Sequence, residues 1–141
     1  MIGQRAEILK SRPSIHDYGC YMMSIIRMAW EYCPPNEIIT TEAILEFHDW
    51  ALNNNAMGPE CYVIDPQRMV DYWVPDRLKF LGKEAADYEV RLDQTAIQLW
   101  TYDRPEGGVW KHFCWGNFDP WLRSITKAKG KVDSIRLFEE M

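Results

Sequence analysis

The chain has 141 residues, 47% of them hydrophobic, with 16 basic against 21 acidic side chains and a formal net charge of -5. That length suits one domain, spanning 1–141, with a core that needs no disulfide support. The acidic balance, with no run of Lys or Arg, supplies no electrostatic footprint for DNA or RNA, and no apolar window approaches a membrane span; neither nucleic acid nor membrane is expected as a partner.

Residues 1–16 read as an N-terminal arm, with a short helix-forming run at Ala6-Glu7-Ile8-Leu9-Lys10 that is broken by Arg12-Pro13. The opening Met1-Ile2-Gly3-Gln4-Arg5-Ala6-Glu7 has no apolar core of signal-peptide length, so a cytoplasmic location is expected. Cys20, Cys33, Cys61 and Cys114 have neither CxxC pairing nor zinc-ligand spacing; they are read as reduced thiols, with no metal site.

The stretch from Asp17 to Cys33 is the organising element. Met22, Ile25, Ile26, Ala29 and Cys33 recur at helical spacing, Asp17 is suited to cap the start, and Pro34-Pro35 ends it. Met23, Met28, Trp30 and Tyr32 carry apolar surface round the rest of the circumference, which predicts a helix packed on several sides. A second helix is expected after Thr40-Thr41-Glu42, carrying Ile44, Leu45, Phe47, His48, Ala51 and Leu52 and ending at Asn53-Asn54-Asn55. The short apolar run Cys61-Tyr62-Val63-Ile64 follows. Asp65-Pro66 then reads as an N-cap with proline at the first helical position, starting a third helix through Trp73.

Beyond Trp73 the period changes. Arg77 to Leu81 and Tyr88 to Leu92 alternate, and Ala96 to Tyr102 is rich in strand formers. Asp103-Arg104-Pro105-Glu106-Gly107-Gly108 is a turn joining that last run to Val109-Trp110-Lys111-His112-Phe113-Cys114-Trp115, the clearest hairpin in the chain. Gly116-Asn117 permits a further bend, Asp119-Pro120 marks a loop, and Val132 to Phe138 reads as a final strand. Helices first and antiparallel strands after imply an α+β fold.

Three residue types point to chemistry. Cys20 lies in the first turn of the central helix, where unsatisfied N–H groups and the helix dipole favour a thiolate. A cysteine nucleophile needs a base to take its proton, and the base needs a third group to orient it. His112 on the hairpin and Asp119 seven residues later supply those two types.

The motifs Asp17-Tyr18-Gly19-Cys20 before an apolar helix, His112-Phe113-Cys114-Trp115-Gly116-Asn117, and Asp119-Pro120-Trp121 resemble the papain-like cysteine peptidases. The nearest likeness is to the small branch that includes the bacteriocin-leader peptidases and related bacterial and phage proteins. Leu52-Asn53-Asn54-Asn55 to Ile64-Asp65 is similar to the second helix, glycine turn and short strand of such proteins, so the resemblance covers about residues 17–138. It implies a papain-like fold, with N-terminal helices around a central nucleophile helix packed on a C-terminal antiparallel sheet. It also implies a triad of Cys20, His112 and Asp119. One position departs from the family pattern: about six residues before the cysteine, where the family carries a glutamine that donates to the oxyanion, this chain has Ser14. Ser14 and the Cys20 N–H are the candidate donors in its place, with Gly19 and Trp115 as further residues lining the site.

Each residue also has an ordinary structural reading. Cysteine is among the most buried residue types, a strand histidine is commonly satisfied by a neighbour, and Asp before Pro is a turn former. Asp17 as a cap steadies the first turn, while its charge opposes a nearby thiolate. Cys114 shares a strand face with His112 and is read as core; Cys33 and Cys61 are read as structural, and His16 and His48 as ordinary. The expected activity is a cofactor-free cysteine hydrolase acting on a peptide, a protein tail or a small amide through an acyl-enzyme, with acyl transfer to an amine as its near variant. The alternative is a papain-like shell that binds a peptide or protein without turnover. Trp110, Trp115 and Trp121, available as groove-lining aromatics, and the Ser14 departure motivate it.

Overall fold

The computed structural model describes Arg12, Ile15 and residues 18–32, 39–103, 106–116 and 130–141. The central helix, α1, spans Cys20–Trp30, and seven of its eleven residues are buried: Met22, Met23, Ser24, Ile25, Ile26, Met28 and Ala29. These positions lie all round the helix, as its apolar circumference predicts. α1 is shorter than the expected 17–33. Glu31 is its C-cap, and the cap N–H groups turn back to the Met28 and Ala29 carbonyls. The N-cap is Gly19, whose carbonyl accepts from Met23 N at 2.8 Å, and no side chain caps it. The expected cap, Asp17, lies outside the described residues.

α2 spans Thr41–Asn53, with the Thr40 hydroxyl accepting from Ala43 N at 3.1 Å and Ile44, Phe47, His48 and Ala51 facing inward. The chain turns at Asn55, forms the short antiparallel pair β1 (Met57–Gly58) and β2 (Tyr62–Val63) around a 3-10 turn at Pro59–Cys61, and enters α3 (Pro66–Trp73). Asp65 caps α3 through Arg68 N at 3.1 Å, with Pro66 at the first helical position, as predicted. Phe47, Trp50, Tyr72 and Trp73 join α2 to α3 in one aromatic cluster, with ring centroids 4.8–6.1 Å apart. Much of the aromatic content is thus spent on packing.

Four antiparallel strands follow: β3 (Leu78–Ala85), β4 (Gln94–Asp103), β5 (Val109–Trp115) and β6 (Lys131–Glu140), in the order β3-β6-β4-β5. The β4–β5 hairpin has the expected partners, closing at Asp103 opposite Val109. The segment from Tyr88 to Leu92 is no strand, although it alternates. β6 pairs with both β3 and β4, so residues 86–93 must cross from one side of β6 to the other, and Val90 and Leu92 are exposed. The Gln94 carboxamide anchors the crossing, accepting from Tyr88 Oη and Arg91 N at 3.1 Å each. The described residues thus form an α+β arrangement of three helices and two antiparallel sheets, and none of their helices is long and apolar enough to cross a membrane.

The helices lie on the sheet face that carries Leu78, Phe80, Ile97, Phe113, Trp115 and Phe138, and these join the core built on α1. Among the described residues no further strand pairs with the outer edges of β3 and β5, and helices cover part of each. Gln67 of α3 does so for β3, donating to Leu78 O at 2.8 Å and accepting from Phe80 N at 2.7 Å.

His48 ties Arg12 to α2. Arg12 Nη1 lies 2.9 Å from His48 Nδ1, and its guanidinium also pairs with Asp49. Since a guanidinium only donates, Nδ1 accepts and the neutral ring carries its proton on Nε2. Burial, then the Arg12 charge, hold the His48 pKa below its ordinary value against the opposing pull of Asp49. The unfolded chain therefore binds a proton that the folded one refuses, and stability is lost as pH falls through the unfolded value of about 6.5. Urea melts between about pH 7.5 and 5.5 should show the midpoint falling with pH, and His48→Gln should flatten that slope.

Candidate active site

Cys20 is partly exposed at the first position of α1. The Phe113 N–H points at its sulfur, N to Sγ being 3.5 Å, and one turn along the helix the Ser24 hydroxyl donates to the Phe113 carbonyl at 3.4 Å. Phe113 lies opposite Leu99 of β4, and its own N–H and C=O point away from β4 to the outer edge of β5. The spacing i, i+4 places Cys20 and Ser24 one above the other on a single helix face, where the two groups of Phe113 meet them. Tyr21 stacks on the Phe113 ring, centroids 4.3 Å apart. Burial, opposed by the Arg136 charge, holds its phenol well above the usual pKa range and therefore neutral.

Gly19 makes this approach feasible. A Cβ built there would stand 2.6 Å from the Ile15 carbonyl oxygen, which accepts the Gly19 N–H at 3.0 Å. Any side chain at this position pushes the turn before Cys20 open.

Cys20 opens into a cleft of about 820 Å³. Its floor includes Tyr21, Phe113, Phe80 and Arg136, and its far wall is the turn from Pro59 to Ile64. In that wall Glu60 and Cys61 hold left-handed backbone angles, φ 57° and 55°. The Ala56 carbonyl fixes the turn's return by accepting from both Ile64 N (2.9 Å) and Asp65 N (3.0 Å). Tyr18, Tyr62 and Ile64 present exposed apolar surface around the opening. A fixed cleft with apolar walls and few polar groups is the usual form of a small-ligand or peptide site.

His112 occupies the middle of β5, directly before Phe113, and is completely buried. Strand alternation directs Phe113 and Trp115 to the helix face and His112 and Cys114 to the other, so His112 is not among the residues lining the cleft. Cys20 therefore touches the strand at the peptide group that joins His112 to Phe113. Cys114 is fully buried beside His112 on that face, and Cys61 is buried at the base of the 3-10 turn, both in the core roles expected. Trp115 packs against the core; its Nε1 donates to Thr95 Oγ1 at 2.7 Å, and Arg27 lies over its ring. It does not line the cleft. Asp119, Ser14, Trp121, Cys33 and His16 lie outside the described residues. Cys20, Cys61 and Cys114 are not disulfide-bonded, and no group of three or more His, Cys, Asp or Glu among the described residues is placed to hold a metal.

The sequence reading missed Ser24, the backbone of Phe113 and the cationic floor of the cleft. Ser24 had a signal, its i, i+4 spacing from Cys20. The Phe113 amide had none, since which backbone groups face a helix at a sheet's outer edge depends on strand order. No family model, curated protein or solved structure matches the chain.

Ser24→Ala should cost about 1 kcal/mol in chemical denaturation, because the partly buried Phe113 carbonyl loses its Ser24 partner, and should leave the fold intact by circular dichroism. Gly19→Ala should cost more, about 1–3 kcal/mol, and should also change the alkylation rate of Cys20 as the preceding turn moves.

Proposed function

We propose that this protein is a cysteine hydrolase of peptide or amide bonds, in a papain-like arrangement, with Cys20 as nucleophile, His112 as base and Asp119 as the group that orients the imidazole. The observation that carries the reading is the contact of the Cys20 sulfur with the Phe113 N–H, at a cleft mouth and beside the backbone of His112. A backbone N–H aimed at sulfur favours the thiolate, as does the start of a helix. Its peptide plane is bonded to His112, whose ring lies on the opposite strand face, so the proposed proton transfer requires the imidazole to turn past the edge of β5 toward the thiol.

In the proposed reaction His112 takes the Cys20 proton and the sulfur attacks the scissile carbonyl, forming a C–S bond. N–H groups at the helix start, with Ser14 as a second donor, stabilise the oxyanion. As the C–N bond breaks, the imidazolium returns the proton to the leaving amine. Water, deprotonated by His112, then attacks the thioester and releases the carboxylate product and the thiol. An amine in place of that water gives acyl transfer.

A second reading, a peptide-binding shell without turnover, is favoured by the complete burial of His112 on the strand face turned from the cleft. The pH dependence of iodoacetamide labelling at Cys20 separates the two. Catalysis predicts fast labelling near neutral pH that falls about tenfold or more in His112→Ala and in the less disruptive His112→Asn, with circular dichroism unchanged in the latter. Slow labelling, or labelling indifferent to both substitutions, assigns the site to binding.

A further inference from the structure

The floor of the cleft carries two cations whose placement the core does not explain. Leu78 and Phe80 set the phase of β3, with even-numbered residues toward the helices. Between Phe80 and Gly82 the pairing with β6 slips: Phe80 faces Phe138, Gly82 faces Leu137, and Leu81 is left over. Gly82 holds φ +108°, a conformation that side chains rarely adopt, and nothing crowds the space where its Cβ would be. The bulge reverses the phase of the strand, because an extra residue shifts every later side chain to the opposite face. Lys83 is thereby turned from the far side of the sheet onto the cleft, directly opposite Arg136 of β6.

Two like charges in cross-strand register weaken a sheet. Among the described residues neither Lys83 nor Arg136 is ion-paired to a carboxylate. Glu60, the acidic residue lining the opposite wall, bridges to neither. Arg136 is held in place. Nη1 donates to Ser134 Oγ at 2.9 Å, and the guanidinium lies 5.3 Å from the centre of the Phe113 ring, leaving Nη2 and Nε without a protein acceptor among the described residues. That same Phe113 carries the N–H aimed at Cys20. The cleft thus has a thiol at one end and, one phenyl ring away, an oriented guanidinium beside a lysine.

We propose that Lys83 and Arg136 form a carboxylate-binding subsite, and that the cleft selects a peptide with an acidic group close to the bond presented to Cys20. A planar guanidinium with a free N–H pair matches a carboxylate, and the lysine adds charge. The apolar walls of Phe80, Phe113 and Tyr62 suit the remainder of a peptide. This substrate class rests on the reading of Cys20 as the reacting group. The carboxylate comes either from an Asp or Glu side chain or from the chain terminus.

The test uses the full chain and three chloroacetyl dipeptides: Ala-Glu amide, Ala-Gln amide and Ala-Gln with a free terminus. Each alkylates Cys20 by thioether formation with loss of chloride, and intact-mass spectrometry reads the rate at about pH 9, where an ordinary thiol reacts. Cys20→Ala identifies the labelled site. The Glu amide or the free-terminus probe should outpace the Gln amide about tenfold at low salt, and the faster of the two names the source. Lys83→Gln should reduce the preference, Arg136→Gln should abolish it, and raising the ionic strength to about 0.5 M should shrink it. Because Lys83 is exposed and opposes a like charge, Lys83→Gln should fold with an unchanged or higher melting temperature. Equal rates for all three probes, or a preference untouched by both substitutions, overturns the proposal. Peptide hydrolysis is assayed separately. A carboxylate preference without hydrolysis removes the peptidase reading and keeps the subsite; hydrolysis without the preference does the reverse.

Discussion

A sheet ordered β3-β6-β4-β5 has two outer strands, and wherever helices bury the outward N–H and C=O groups of β3 or β5 those groups need a side-chain partner. Gln67 meets the requirement on β3 with a single carboxamide that donates to Leu78 and accepts from Phe80. Cys20 and Ser24 meet it on β5, one side chain for each polar group of Phe113. These two attachments fix α1 and α3 to opposite edges of the sheet beside the apolar core they share. α1 and α3 pack on each other as well as on the sheet, so fixing each to its own edge sets how the core between them closes.

The attachment on β5 gives the thiol a defined place. A cysteine at a helix start is ordinarily free to choose a rotamer, and its reactivity depends on what it happens to face. Here the Phe113 N–H takes the direction of the sulfur out of the hands of the side chain, and Gly19 lets the backbone come close enough to Ile15 for the helix to begin there. The structural bond and the proposed chemistry draw on the same geometry: the sheet-edge N–H that the sulfur satisfies as acceptor is also a donor that stabilises negative sulfur. The peptide group between His112 and Phe113 is then the hinge between two sheet faces, one turned to the cleft and one holding the buried imidazole.

The cleft walls show where local rules are broken. Glu60 and Cys61 sit in the left-handed region on one side, and a bulge with Gly82 in the same half of φ space interrupts β3 on the other. Such departures tend to cluster at functional sites, because a regular element would be cheaper for the fold alone. Both departures shape one cavity. The first brings the exposed Tyr62 and Ile64 to its rim, and the second turns Lys83 toward Arg136.

Most of the helices and the hairpin were legible in the sequence because their signals are local: Thr40 and Asp65 as caps, Pro66 at a helix start, the turn before Val109, and the apolar periodicity of α1. The alternation of Tyr88 to Leu92 misled, since an alternating run becomes a strand only where a neighbour is free to pair, and β6 already pairs with β3 and β4. The boundaries of α1 misled as well, because residues 31 and 32 turn their amides back on the last carbonyls before the prolines are reached. The sequence by itself determined the α+β class, a central helix that carries Cys20 in its first turn, and the strand that carries His112. Only the tertiary structure decided that Phe113 is the residue Cys20 touches, that Trp115 belongs to the core, and that Lys83 and Arg136 share a floor. These follow from strand order, edge exposure and a one-residue slip, and each is a property of pairing between distant segments that no local pattern encodes.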